Sequence, residues 1–503
     1  MKSAKLPSLQ TRAAGILLHI TSLPGPYGSG DLGDPAYRFA DALHQAGMRW
    51  WQVLPITPPG PGPGFSPYSS YSAFAGSPWL ISPQLLHEQG LLSGRDLKDA
   101  QKPLDGRINF AEVQRLRAPL LRTAFANRLK LSRGERDQYE QFGTEQSRWL
   151  DDYALFAALK EQRGTASWTR WPEELRLRVP AALDASRRRL HEPVAFHKFL
   201  QWLFDRQWSG LKLYCNQRGI GLIGDIPVFV AHDSADVWAN PTLFLLNRDG
   251  RPKVISGYPA DAFAPRGQRW GHPHYRWPAH IANEFAWWLA RFTKALRDFN
   301  AIRIDHFLGF YRLWAVAASA RHAVQGRWMR VPGDQLFSIL RKRIGDAPII
   351  AEDLGSPVAA QLALRDKFKF PGMRILQFGF GGNDYHLPHV YPRRCVAYTG
   401  THDNQTIVGW FENLGTEERD RAIAYVGNSK TEQHWNFVRA LFTSVADTVI
   451  IPVQDALGLG AADRMNVPGV AVGNWGWRMD GPMPRSVIAK LRALSRATGR
   501  SAP

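Results

Sequence analysis

Eight short apolar runs recur along the chain, most of them separated by stretches with helical periodicity. They lie at 14–20 (AGILLHI), 48–56 (MRWWQVLPI), 219–230 (GIGLIGDIPVFV), 301–307 (AIRIDHF), 347–355 (APIIAEDLG), 372–380 (GMRILQFGF), 395–403 (CVAYTGTHD) and 448–458 (TVIIPVQDALG). Continuous apolar runs of this length, bounded by turn residues, read as strands buried on both faces. Between the first two, DPAYRFADALHQAG has the spacing of a helix. Strand, helix and strand at this spacing imply parallel pairing. NEFAWWLARFTKALRDF and GDQLFSILRKRIG continue the rhythm. Eight such units predict an α/β fold, a (β/α)₈ TIM barrel. An open doubly wound sheet is the alternative, but no Gly-rich dinucleotide fingerprint follows the first strand.

The rhythm breaks twice. After the second strand comes a Pro/Gly/Ser/Tyr-rich loop, PPGPGPGFSPYSSYSAFAGSPWLISP, and then a charged helical stretch to about 218. Residues 57–218 therefore read as a large, mainly helical insertion between strands 2 and 3, whose last helix Gly219 stops. Residues 231–300, rich in Trp, His and Pro, form a second insertion, between strands 3 and 4. Both belong to a single catalytic barrel spanning 1–503, and RSVIAKLRALSRATGR is a basic helix that closes the ring.

In such barrels the chemistry sits at the C-terminal ends of the strands. Those ends carry Asp225, Asp305, Glu352 or Asp353, Asp403 and Asp455, together with Arg303 and His402. Arg303 and Asp305 are two apart and share one strand face, while Ile302 and Ile304 take the other. A carboxylate beside a fixed cation stays ionised at neutral pH, as a carboxylate nucleophile must. Alone, R-x-D describes an ion pair holding a strand end equally well; the acids at the other ends turn the reading toward chemistry. A magnesium cluster would need substrate phosphates or several waters as well, and the chain has no phosphate-cradling loop. Two carboxylates and a supporting third fit glycosidic bond chemistry, one attacking the anomeric carbon and one protonating the leaving oxygen. Side-chain alternation does not choose between Glu352 and Asp353, and it does not orient His402 and Asp403, where the strand is ending.

Composition changes this picture little. Tryptophan is heavily used (19 residues), which suits stacking on sugar C–H faces but also a large aromatic core. The net charge of +19 raises the question of an anionic partner. The arginines are scattered through helical stretches such as RLRAPLLRTAFANRLK, without a nucleic-acid motif. A solvated Arg-rich surface is expected, with no nucleic-acid partner. Cys215 and Cys395 have no local pairing pattern, which suits a reducing compartment. The first apolar run lacks a cleavage signature, and no stretch is long enough for a membrane span. A cytoplasmic protein without membrane partners is expected.

The motifs as a set resemble the 4-α-glucanotransferases (amylomaltases, or disproportionating enzymes) of glycoside hydrolase family 77. HITSLPGPYGSGDLG, SPYSSYSAFAGSPWLI, GDIPVFVAHDSADVWANP, GQRWGHPHYRW, RIDHFLGF, IIAEDLG, YTGTHDNQT, IPVQDALGLG, RMNVPG and GNWGWR carry the resemblance, from the first strand to near the C-terminus. It implies Asp305 as nucleophile, Glu352 as general acid/base and Asp403 as the carboxylate supporting the oxocarbenium-like transition state. Arg303 is then the nucleophile's partner, and His402, Asp225 and Tyr68 contact the sugar beside the scissile bond. Ser66 opens the SPY motif of Tyr68, Gln268 and Trp270 belong to a lid on the acceptor side, and Asn474 is a further sugar contact. One stretch departs from the family. The lid loop usually has a Tyr after its Asp, whereas this chain has Ala262 after Asp261, with Ala260 before it and Phe263 present as expected.

The resemblance implies a retaining transfer of α-1,4-glucan segments between maltooligosaccharides, with glucose as one acceptor and cyclisation as a variant. It implies no metal and no organic cofactor, and a monomer or small homo-oligomer. Two rival readings use the same rim: an amylase-like hydrolase in which water wins, and a non-catalytic glucan-binding protein. The lid of Gln268, Trp270 and Phe263 favours transfer, because it can exclude water.

Overall fold

We describe a computed structural model covering residues 5–60, 64–102, 106–164, 166–260, 265–355 and 358–501. Its twelve strands are β1 (Ala13–Leu17), β2 (Trp50–Gln52), β3 (Gly221–Ile226), β4 (Val254–Tyr258), β5 (Gln268–Pro273), β6 (Ala301–Ile304), β7 (Arg312–Ala317), β8 (Gly326–Arg330), β9 (Ile349–Ala351), β10 (Gly372–Ile375), β11 (Cys395–Tyr398) and β12 (Thr448–Pro452). Eight of them close a barrel in the order β1-β12-β11-β10-β9-β6-β3-β2. Its register pairs are all parallel, and these eight are the eight apolar runs of the sequence.

Each strand is shorter than its apolar run. β6 ends at Ile304, so Asp305 lies one residue past it. β9 ends at Ala351, before Glu352. β11 ends at Tyr398, well before His402. Asp305, Glu352 and Asp403 thus stand just beyond their strands, whereas Asp225 lies within β3 and Asp455 in the short helix Val453–Leu457. Tight side-chain fit fills the barrel near its start: Trp50 is fully buried, and a Cβ on Gly15 or Gly221 would lie 2.5 or 2.4 Å from its atoms. Only glycine leaves that room.

Between β2 and β3 the chain forms helices that include Phe110–Ala126, Arg133–Glu145, Ser147–Gln162, Pro180–Arg189 and His191–Gln217. The last ends two residues before Gly219, whose positive φ of 72° suits a helix stop. Beyond β3, the sequence reading left strands unassigned. β4 and β5 pair antiparallel with each other, and β4 also pairs with β7, which pairs with β8. This four-stranded sheet, ordered β5-β4-β7-β8, joins segments from before and after β6. We call it the lid sheet. Asp261, Ala262 and Phe263 of the predicted lid loop lie outside the described residues.

Cys215 and Cys395 are free and buried. Among the described residues no helix is long and apolar enough to cross a membrane, and no group of three or more His, Cys, Asp or Glu is arranged to hold a metal ion.

Candidate active site

The site starts from two neighbouring strands. β3 and β6 pair with Asp225 opposite Arg303. Arg303 Nη1 donates to Asp225 Oδ2 at 2.6 Å, and its Nη2 donates to Asp305 Oδ1 at 2.9 Å. The Asp225 and Arg303 side chains are 0 and 4% exposed, whereas Asp305 is 29% exposed, so Asp305 is the open end of this chain of charges. Burial works against the Arg303 charge, but Asp225 and Asp305 outweigh it and hold its pKa well above the ordinary guanidinium value.

Beyond Asp305 the chain turns through His306, which has φ 54°, an uncommon state for a non-glycine residue. The turn presents the His306 amide to Glu352, whose Oε2 accepts from it at 2.7 Å. The Leu354 amide donates to Oε1 at 3.1 Å. Glu352 therefore sits beside the nucleophile candidate, gripped by two backbone donors. Burial pushes its carboxyl up to about 7; Asp305 adds to the rise, and Arg303 and the two amides oppose it. Burial also pushes the His306 imidazole down to about 4, leaving it neutral.

The structure separates Glu352 from Asp353, which side-chain alternation alone left open. Asp353 is buried and accepts from Arg365 and from the Met373 amide, the latter at 2.8 Å. It braces the barrel wall. Asp455, the fifth acid of the rim, is also withdrawn. It is fully buried and accepts from Thr399 Oγ1 at 2.5 Å and from the Ile407 amide at 2.7 Å. Those two donors are the feet of the loop that carries His402 and Asp403, so Asp455 clamps that loop. Burial pushes its carboxyl up to about 6.

Asp403 accepts from Asn466 Nδ2 at 2.6 Å and lies 3.3 Å from His402 Nε2. Burial alone would raise its pKa, but His402, Asn466 and Arg303 prevail and hold it well below the usual carboxylate range. His402 Nε2 is also 2.8 Å from the Tyr68 hydroxyl, which donates to Asp225 Oδ2 at 2.8 Å. Burial and Asp225 push the Tyr68 pKa well up, so it remains a phenol. The hydroxyl thus accepts from His402 and donates to Asp225, which links the two sides of the rim. Ser66 Oγ accepts from the Tyr68 amide at 3.3 Å and sets the turn that delivers the ring.

The structure therefore brings together Asp225, Arg303, Asp305, Glu352, His402, Asp403 and Tyr68. Gln268 and Trp270 approach from the lid sheet. Trp270 Nε1 donates to Gln268 Oε1 at 3.1 Å, and the Trp270 ring stands edge-on to His306 at 5.0 Å. Asn474 is different. Its side chain accepts from the Val467 amide and donates to the carbonyls of Val467 and Val470, all within its own loop. Its neighbour Trp475 is the residue that reaches the cluster, 5.7 Å from Tyr68 and 6.0 Å from His402 between ring centroids. The sequence reading missed Trp475 and Asn466, although both lie in motifs it quoted, GNW and RMN. A cleft lined in part by Phe74, Phe204 and Phe229 adjoins Tyr68 and Asp225.

A closed (β/α)₈ barrel whose C-terminal rim gathers carboxylates among aromatic rings has the architecture of the barrel enzymes. Comparison with known proteins narrows the class. The family model for 4-alpha-glucanotransferase matches residues 18–484. A 4-alpha-glucanotransferase of Thermus thermophilus is 45% identical over 501 residues, covering 97% of this chain and 99% of that protein. A chloroplastic/amyloplastic 4-alpha-glucanotransferase of Solanum tuberosum is 44% identical, covering 93% of this chain and 82% of that protein. The structure of an amylomaltase from Streptococcus agalactiae in complex with acarbose superposes with a TM-score of 0.93 at 39% identity, covering 97% of this chain and 100% of that one. The chain belongs to the 4-alpha-glucanotransferase family, whose members are glycosyl-transferring enzymes.

Proposed function

We propose that the protein transfers α-1,4-glucan segments with retention, through a covalent intermediate on Asp305. The carrying observation is the pairing of Arg303-bound Asp305 with Glu352, whose carboxyl is pushed up to about 7 on the His306 amide. In the first step an Asp305 oxygen bonds to the anomeric carbon of a donor glucan. The bond from that carbon to the leaving 4-oxygen breaks, and Glu352 gives that oxygen its proton. In the second step the acceptor's 4-hydroxyl gives its proton to Glu352 and attacks the same carbon, and Asp305 leaves as a carboxylate. Two inversions make net retention, which calls for carboxyls roughly 5–5.5 Å apart.

Asp403, held ionised, faces the positive charge that develops on the sugar ring. Asp225, whose side chain is sealed from solvent, holds Arg303 and Tyr68 in place behind the same sugar. Tyr68 and Trp475 supply ring faces for the same sugar. A relative in complex with acarbose, a pseudo-oligosaccharide, supports a mouth of this kind for maltooligosaccharides. Glucose serves as the smallest acceptor, and cyclisation is the case in which the acceptor is the donor's own far end. The two free cysteines suit a reducing compartment, and we place the enzyme in the cytoplasm.

The test is incubation with maltotriose alone, with products separated by chain length and reducing ends counted. Glucose with maltopentaose and longer chains, at constant reducing ends, is the expected result. Rising reducing ends with no longer chains would instead establish a hydrolase. Trapping with a 2-deoxy-2-fluoro glucosyl donor and peptide mass mapping is expected to mark Asp305; a label elsewhere would remove it as nucleophile.

A further inference from the structure

The lid sheet carries an aromatic row that the proposed mechanism does not use. It runs from His306, next to the nucleophile candidate, to Trp270, Tyr258, Trp328 and Trp314. Tyr258 is its centre. Its ring lies nearly parallel to Trp270 (24°, 6.4 Å between centroids). Both rings stand edge-on to His306, at 83° for Tyr258 and 86° for Trp270. Trp328 stands edge-on to Tyr258 at 6.3 Å, and Trp314 stands edge-on to Trp328 at 5.1 Å. The Tyr258 hydroxyl reaches to 3.9 Å from where a Cβ on Gly355 would stand, in the loop that follows Glu352.

We propose that Tyr258 is an acceptor-specificity residue, a fixed platform for the second sugar of an incoming glucan, with Trp328 extending it to the next. This inference rests on the glucan-transfer reading above. Trp270 and Tyr258, nearly parallel and both edge-on to His306, set two aromatic rings beside the reacting centre, and successive sugars of a chain need successive faces. The platform is rigid because β4 is paired on both sides, with β5 and with β7. A side chain on Gly257 would strike the Gln268 carbonyl at 2.3 Å, so the strand next to Tyr258 approaches β5 as closely as glycine allows. Tyr258 is half-buried. Glucose as acceptor ends before it; maltose and longer acceptors reach it.

The experiment uses the full-length enzyme with maltotriose as donor and glucose, maltose or maltotetraose as added acceptor, comparing wild type with Tyr258→Ala, Tyr258→Phe and Trp328→Ala. For Tyr258→Ala, the KM for maltose and maltotetraose is expected to rise about three- to tenfold, in line with loss of one aromatic contact. Its kcat stays within twofold, its KM for glucose hardly moves, and the hydrolysed share of product rises. Tyr258→Phe, which keeps the ring, behaves as wild type. Trp328→Ala raises the KM for maltotetraose alone. A Tyr258→Ala enzyme with unchanged KM for maltose, or one that loses kcat equally with every acceptor, overturns the assignment. Tyr258→Phe matching Tyr258→Ala also overturns it, since the hydroxyl would then be the operative group. A wild-type protein that lengthens no glucan sinks the glucan reading itself, separately from these variant effects.

Discussion

The barrel rim and the lid sheet hold their functional side chains by different means. On the rim each carboxylate is fixed by hydrogen bonds from donors that cannot move far: the His306 and Leu354 amides on Glu352, Asn466 on Asp403, Arg303 on Asp305. On the lid sheet the rings of Trp270, Tyr258 and Trp328 also meet one another, and Arg312 stacks on Trp328. Hydrogen bonds demand one geometry, whereas ring contacts accept a range of offsets. The difference teaches a division of labour. Bond making needs carboxylates placed to fractions of an ångström, and choosing among acceptors needs surfaces that tolerate chains of different length.

That contrast can be broken most forcefully at Asp305. Asp305→Asn is expected to lower transfer from maltotriose by about 10⁴-fold or more while leaving the melting temperature close to wild type, because the proposed nucleophile is lost and the fold is not. Product analysis with parallel thermal melts reads both.

The next effect in size is on pH. In the proposed mechanism Glu352 carries a proton for the first step, and its carboxyl is pushed up to about 7. The proton is present below that pH and lost above it. Initial rates of kcat/KM from pH 5 to 9 should therefore fall roughly tenfold per unit on the alkaline side of an apparent pKa near 7. In Glu352→Gln that limb should vanish along with most of the activity.

Asp455→Ala tests the brace beneath the rim. It leaves the Thr399 hydroxyl and the Ile407 amide without their buried acceptor. A stability loss of about 2–3 kcal/mol is expected from urea titration. A fall in kcat of about tenfold should accompany it, as the His402–Asp403 loop loses its anchor. Asp455→Asn, which keeps one acceptor, should lie between. Trp270→Leu sharpens the other side of the comparison. It should change stability by less than about 1 kcal/mol and kcat by a few-fold, and raise the ratio of hydrolysis to transfer as the lid admits water. A Trp270→Leu enzyme with an unchanged ratio would mean that water exclusion lies elsewhere.

Much of this was legible in the chain because parallel barrels write plainly. A strand covered on both faces must be apolar throughout, so all eight barrel strands stood out as runs, and the acids at their ends marked the working rim. The lid sheet was not legible. Its strands mix buried and exposed positions instead of forming apolar runs, β7 and β8 follow β6 where a barrel helix was due, and β4 pairs with β7 across more than fifty residues. No local pattern records such pairing.

Residue type and order thus determined the barrel, the direction of its strands and the candidates Asp225, Arg303, Asp305, Glu352 and Asp403. Two-residue spacing placed Arg303 on the side of Asp305 because strand side chains alternate. Strand alternation did not decide between neighbours; the resemblance pointed to Glu352, and the tertiary structure supplies the physical reason. Glu352 and Asp353 are chemically alike and adjacent, and which one faces the site follows from the His306 amide on one side and Arg365 on the other. Likewise Asp403 and Asp455 both read as rim acids, yet one sits open beside His402 and the other is sealed under its loop. The reason is physical: a carboxylate's role is set by its donors and its access to substrate, and both come from parts of the chain that are distant in sequence.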